Sequence, residues 1–264
     1  MTRHQIFEDL HQQGCFVMPN PWDLGSAKMM ASLGAKALAT SSAAHAFAIG
    51  LPDMGRVTRD QALTHAAEIV AATPLPVNGD LENGYGEAPE TVAETIRLAA
   101  EAGLSGCSIE DTTMDDAIVY DFDLAVERVR AAADAARGLG QPFIFTARAD
   151  GVMLGAYDMN EAIRRCQAFE AAGADMVYVP APPSLSDISQ LVNSVSIPVN
   201  VLAAGKMTAH SQTEIAATGA RRISLGSAIA RATHRVINDT VTAMLTDGDF
   251  SCLQKSISGD TVDS

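Results

Sequence analysis

A (β/α)8 barrel is the fold this sequence predicts, on three observations. Short apolar runs alternate with helical stretches eight times along the 264 residues. The runs are nearly all apolar, as strands covered on both faces must be. A Gly recurs between helix and following strand, in Leu33-Gly-Ala, Ala102-Gly-Leu, Ala172-Gly-Ala and Thr218-Gly-Ala, where a left-handed residue ends the helix. An open doubly wound sheet is the main rival. Residues 1–246 read as one barrel with an N-terminal and a C-terminal helix, and 247–264 as a polar tail, frayed or used in oligomer contacts.

Residues 3–13 form a short amphipathic helix with Ile6, Phe7 and Leu10 on one face, and Gly14 ends it. Cys15–Met18 is the first strand, bounded by Pro19-Asn-Pro21. Asp23 caps a helix to about Leu33, and 34–40 is the second strand. A loop spans Ser41 to Asp53, and Thr58 caps a helix to about Ala72. Strands follow at 75–78, 104–109, 142–146, 175–179, 197–201 and 222–225. Between them helices occupy 87–101 (Pro89 in the first turn), 122–137, 160–172, a stretch from about Ser186, and 211–217; Gly226 opens a final long one.

The formal net charge of −14 argues against nucleic acid or an anionic membrane as partner. An anionic substrate must then be held by local groups. Four scattered Cys without a CxxC pair read as reduced thiols, and no apolar run approaches the length of a membrane span. The chain reads as soluble and cytoplasmic.

Chemistry in this fold collects where strands end. Strand three ends on Asp80 and Glu82, strand four on Glu110 and Asp111, strand five on Arg148 and Asp150. Carboxylates from adjacent strands, with water, suit a hard ion such as Mg2+, or Mn2+ in its place. Without a cation such a group would raise its own pKa values. Taken singly, each acid would read as a cap or a solvated loop residue. Arg148 is the natural electrophile, with a structural pairing to Asp150 or Glu110 as the alternative. Thr40-Ser41-Ser42-Ala43 has the small residues that let N–H groups close on an anion. Trp22 ends strand one, as pocket wall or as core. No phosphate-binding Gly loop and no nucleophile elbow is present.

At these residues the chain resembles the isocitrate lyase/phosphoenolpyruvate mutase superfamily. Gly50-Leu-Pro-Asp53, Asp80-Leu-Glu-Asn-Gly-Tyr-Gly86, Ser108-Ile-Glu-Asp111, Ala147-Arg-Ala-Asp150 and Pro198-Val-Asn-Val201 carry the resemblance. It implies a barrel, commonly tetrameric, whose last helix is exchanged between subunits, so that a homo-oligomer, tetramer or dimer, is expected. It implies Mg2+ held through Asp80, Glu82 and Glu110, partly by way of water, with Asp53 near that water shell. It implies a small 2-oxo acid whose carboxylate rests on Ser41, Ser42 and Ala43, with Arg148 facing the C2 oxygen and Asn200 at the rim.

The resemblance has departures. The lyases carry a Cys-containing loop after the strand-four acids and a Glu after strand six. Here stand Thr112-Thr-Met-Asp-Asp-Ala-Ile-Val-Tyr120, with neither Cys nor Lys, and Pro180. That speaks against isocitrate or methylisocitrate cleavage. The expectation is an Mg2+-dependent lyase on a 2-oxo dicarboxylate working through an enolate, oxaloacetate decarboxylation foremost. Tyr120, Asp116 or a metal-bound water would protonate the enolate. Phosphonopyruvate hydrolase or mutase-type P–C chemistry, and a non-catalytic oxo-acid binder, are the alternatives.

Overall fold

In the computed structural model, which describes every residue except Asp115 and Ser264, eight parallel strands form a nearly closed barrel ringed by helices. The strands are β1 (Phe16–Met18), β2 (Leu38–Ala39), β3 (Val77–Asp80), β4 (Gly106–Glu110), β5 (Ile144–Arg148), β6 (Met176–Tyr178), β7 (Val199–Leu202) and β8 (Arg222–Ser224). Each pairs with its sequence neighbour from β2 to β8, and β8 pairs with β1, Phe16 opposite Arg222. Between β1 and β2 a single backbone bond, Ala39 N–H to the Pro19 carbonyl at 3.0 Å, spans the seam. Asn20 clasps it from above: its amide donates to the Thr40 carbonyl at 2.9 Å and accepts from the Leu225 and Gly226 N–H groups at 2.9 and 3.0 Å.

The helices are α1 (Arg3–Leu10), α2 (Leu24–Ser32), α3 (Ser42–Ala48), α4 (Arg59–Ala72), α5 (Pro89–Glu101), α6 (Phe122–Arg137), α7 (Gly151–Leu154), α8 (Met159–Ala172), α9 (Leu185–Ser194), α10 (Gln212–Ala217), α11 (Ala228–Asp247) and α12 (Gly259–Asp263). Capping boxes start four of them, Thr2 with Gln5, Asp23 with Ser26, Thr58 with Gln61 and Ser211 with Glu214. No helix among the described residues is long and apolar enough to cross a membrane.

Two expectations change. The stretch expected as a loop from Ser41 to Asp53 contains α3, capped by the Ser41 hydroxyl accepting from Ala44 N–H. A seven-residue helix is too short to announce itself by periodicity. The tail after 246 is not wholly polar in its display: it forms a 3₁₀ turn, Ser251–Lys255, and α12, exposing Phe250, Leu253, Ile257 and Val262. Asp115, in the Thr112–Tyr120 stretch that departs from the lyases, and Ser264, ending the tail, lie outside the described residues.

The apolar core lies between strands and helices, with Leu38, Val77, Ile96, Cys107, Phe145 and Phe169 fully buried. Gly106 is needed where β4 meets β5: a Cβ there would lie 2.4 Å from the Ile144 carbonyl oxygen.

Candidate active site

β3, β4 and β5 run one or two residues further than expected, and this places the chemistry. Asp80, Glu110 and Arg148 are the last residues of β3, β4 and β5, each locked in register with its neighbour (Asp80 opposite Ser108, Glu110 opposite Arg148). Their backbones are therefore as rigid as the sheet, and their heads open into a cavity of about 170 Å³ at the C-terminal mouth of the barrel.

Arg148 is the hub. Its Nη1 lies 3.0 Å from Asp80 Oδ1 and 2.8 Å from Glu110 Oε1, and its Nη2 lies 2.7 Å from Asp150 Oδ1. The guanidinium also stands over the Tyr178 ring, 4.9 Å from its centroid. Asp80 Oδ2 accepts from both the N–H and the hydroxyl of Ser42 at 3.0 Å. Glu82 Oε1 accepts from Gly55 N–H at 3.2 Å, while its buried Oε2 has no hydrogen-bond partner among the described residues. Glu82 sits at φ +47°, a left-handed conformation that costs a non-Gly residue about 1–3 kcal/mol. Burial, then Asp80 and Asp53 nearby, push its carboxyl up to about 7. Burial also raises Glu110, against the pull of Arg148, and carries Asp150 to about 6.

Most expected site residues meet here. Ser41, Ser42, Ala43, Asp53, Asp80, Glu82, Glu110, Arg148 and Asn200 all line the cavity. Burial raises the Asp53 carboxyl although it accepts from Met54 N–H. The Ser42 donors are engaged by Asp80. Five of the residues singled out in the sequence, Trp22, Asp111, Asp116, Tyr120 and Asp150, are not brought to the cavity lining. Tyr120 is buried under the Arg128 guanidinium, and its hydroxyl accepts from the Asn83 amide at 2.9 Å. Trp22 is half-buried, and its carbonyl is bonded to His65 Nε2 at 3.0 Å. Asp111 is structural: it binds Asp150 N–H, the Tyr157 hydroxyl and Arg165 at 2.8, 2.9 and 3.0 Å.

For a metal, the donor set and the geometry have to be weighed together. All candidate donors are hard carboxylate oxygens, one of them is a buried orphan, and burial among like charges raises Glu82 and Glu110, the mark of a site short of positive charge. Yet no three His, Cys, Asp or Glu side chains among the described residues converge closely enough to cage an ion. The residues thus fit a hydrated hard ion that keeps several waters, not one ligated wholly by protein.

The cavity floor holds a residue the sequence reading passed over. Arg222, first in β8, lines it and is fully buried. Its Nε donates to Asn200 Oδ1 at 2.8 Å, its Nη2 to Thr146 Oγ1 at 3.0 Å, and its Nη1 faces His11 Nε2 at 3.4 Å. The Asn200 amide then donates to Ser224 Oγ at 2.9 Å. Burial lowers the guanidinium to about 9. The signal was available: a charged residue opens this strand, whereas the other seven open on Phe16, Leu38, Val77, Gly106, Ile144, Met176 and Val199.

Known proteins resemble this chain. A family model described as phosphoenolpyruvate phosphomutase matches residues 7–245. A crystal structure from Burkholderia cenocepacia J2315, provisionally named a lyase/mutase, superposes with a TM-score of 0.95 at 44% identity over 99% of this chain and 94% of that one. The oxaloacetate decarboxylase of Paraburkholderia xenovorans is 31% identical over 75% of this chain and 67% of its own length. The 2-methylisocitrate lyase of Shewanella oneidensis is 29% identical over 84% of this chain and 78% of its own.

Proposed function

The chain belongs to the phosphoenolpyruvate phosphomutase family, within the PEP mutase/isocitrate lyase superfamily, and from that premise we propose that it is a Mg2+-dependent lyase of a small 2-oxo dicarboxylic acid, with oxaloacetate decarboxylation foremost. The observation that carries the reading is Arg148, a buried cation fixed at the end of β5 and opening into the cavity among the acids of β3 and β4.

Asp80, Glu82 and Glu110 would hold the ion, largely through water. When bound, Mg2+ would supply Lewis-acid polarisation of the C2 carbonyl. Arg148 supplies a preorganised positive charge for the oxygen that becomes negative as the bond to C3 breaks, at no cost of reorganisation during the reaction. Asp80 and Asp150 hold its fork in place. Ser41 and Ala43 would take the substrate carboxylate at the start of α3, and Ser42 would join them only by giving up its bonds to Asp80. Decarboxylation needs an electron sink and no dedicated base, which suits a loop at 112–121 without Cys or Lys. The likeness to an oxaloacetate decarboxylase supports this, while the likeness to a 2-methylisocitrate lyase is offset by the missing loop Cys. With Tyr120 and Asp116 both off the cavity lining, the proton for the enolate comes from water at the mouth.

The test is pyruvate formation from oxaloacetate by purified protein with Mg2+. The rate should exceed that of the metal alone, and Arg148→Ala should lower kcat about 10²-fold or more. A wild-type rate equal to the metal's own, or an unimpaired Arg148→Ala enzyme, defeats the reading. The family match favours P–C chemistry as the second reading. Phosphate release from phosphonopyruvate, with oxaloacetate inert, would establish it instead. Binding of 2-oxo acids without turnover of either would mark a binder.

A further inference from the structure

A buried charge is expensive unless something of opposite sign meets it. Four arginines are buried. Arg148 and Arg165 meet carboxylates, and Arg128 meets three backbone carbonyls, those of Asn83, Gly86 and Glu87. Arg222 is different. Its partners among the described residues are an amide oxygen, a hydroxyl and an imidazole nitrogen, all neutral, and no carboxylate pairs with it. A guanidinium has five N–H donors, and these partners engage three.

Its position is equally specific. Arg148 and Arg222 are the only cationic residues lining the cavity, among the described residues. Arg148 is already shared by three carboxylates. The acids Asp53, Asp80, Glu82 and Glu110 line the same cavity from β2–β4 and the segments that follow them, whereas Arg222, Asn200 and Ser224 lie together on β7 and β8. A ligand anion placed among the acids is repelled unless an ion intervenes. Placed against β7 and β8 it meets an uncompensated guanidinium. Asn200 is oriented to cooperate. Its oxygen is fixed by Arg222 Nε, so its NH2 group must be the donor on the other side, where Ser224 takes one hydrogen and leaves one.

We propose that Arg222, with Asn200 and Ser224, is a floor subsite for the second carboxylate of a dicarboxylic ligand, and so sets the preference for two-headed over one-headed acids. This rests on the 2-oxo-acid reading of the site for the ligand's class, but it adds a residue and a discrimination which that reading does not contain.

The test reads binding, so it stands whether or not oxaloacetate turns over. Malate and lactate differ only by the second carboxylate. Their dissociation constants are measured by calorimetry on the full chain with Mg2+ present. Malate should bind at least tenfold more tightly to the wild type. Arg222→Met should abolish that ratio while lactate binding stays within about twofold. Because Arg222→Met removes a cross-barrel strut and could fail to fold, Thr146→Asp is the second variant. It sets a carboxylate against Nη2 from outside the cavity lining and should also abolish the ratio, in a protein that still melts cooperatively. A wild-type ratio near one overturns the proposal, as does a folded variant of either kind that keeps the preference. If neither acid binds the wild type, the subsite proposal falls, while the oxo-acid reading is decided separately by oxaloacetate turnover. If lactate binds as well as malate, the subsite alone falls.

Discussion

Arg148 balances three acids, and its removal should be felt in stability as much as in catalysis. Arg148→Met leaves Asp80, Glu110 and Asp150 buried without their cation, a loss of about 3–5 kcal/mol in chemical denaturation with Mg2+ absent. His11 offers a pH prediction. Its Nδ1–H donates to the Phe7 carbonyl at 2.7 Å, so Nε2 keeps its lone pair toward Arg222. Burial, then the Arg222 charge, hold the imidazole at about 3 against 6.5 in the unfolded chain. Between these values the unfolded state binds the extra proton, so His11 makes stability fall as pH drops from 6.5 toward 3. The slope reaches about 1.4 kcal/mol per pH unit. In denaturation midpoints taken across that window, His11→Gln should flatten the fall relative to wild type.

At the level of elements, close strand contact sets the limits. Gly106→Ala drives a methyl into the Ile144 carbonyl and should cost about 1–3 kcal/mol or more, read from urea unfolding. The strand–helix alternation was legible because the longer helices show a face and several carry their own cap, as Thr58 does for α4. The ends of strands were less so. Asp80, Glu110 and Arg148 look like loop residues locally, and only pairing with neighbouring strands extends β3, β4 and β5 to include them. The cluster of acids around Arg148 was visible as residue types at strand ends. What hid Arg222 was the shortness of β8, three residues, which gives alternation too little length to reveal an inward charge. Ser42 was legible as a small polar residue, but its engagement by Asp80 depends on a fold-wide approach of α3 to β3.

For the whole molecule, α11 is the exposed surplus. Val236, Ile237, Val241 and Leu245 are open to solvent along one helix at spacings of one and four, and Phe250 and Leu253 continue beyond it. A stripe of this kind calls for a partner surface. Light scattering after size exclusion should give a mass above the 27.6 kDa of one chain, and Ile237→Asp should move it toward that value. A wild-type mass of one chain would end the expectation of a homo-oligomer.

The pairing of β1 with β8 has a consequence in time. During synthesis β1 leaves the ribosome early, yet its ladder partner is about two hundred residues away, Phe16 against Arg222. Its other neighbour offers it one bond. The ladder of the first strand must therefore wait for nearly the whole chain, and barrel closure is a late, long-range event of the kind that slows folding. A circular permutant beginning near Ala35, with the old ends joined so that β1 follows β8, would make that pairing local. It should refold faster than the natural chain order in stopped-flow fluorescence, with little change in unfolding rate.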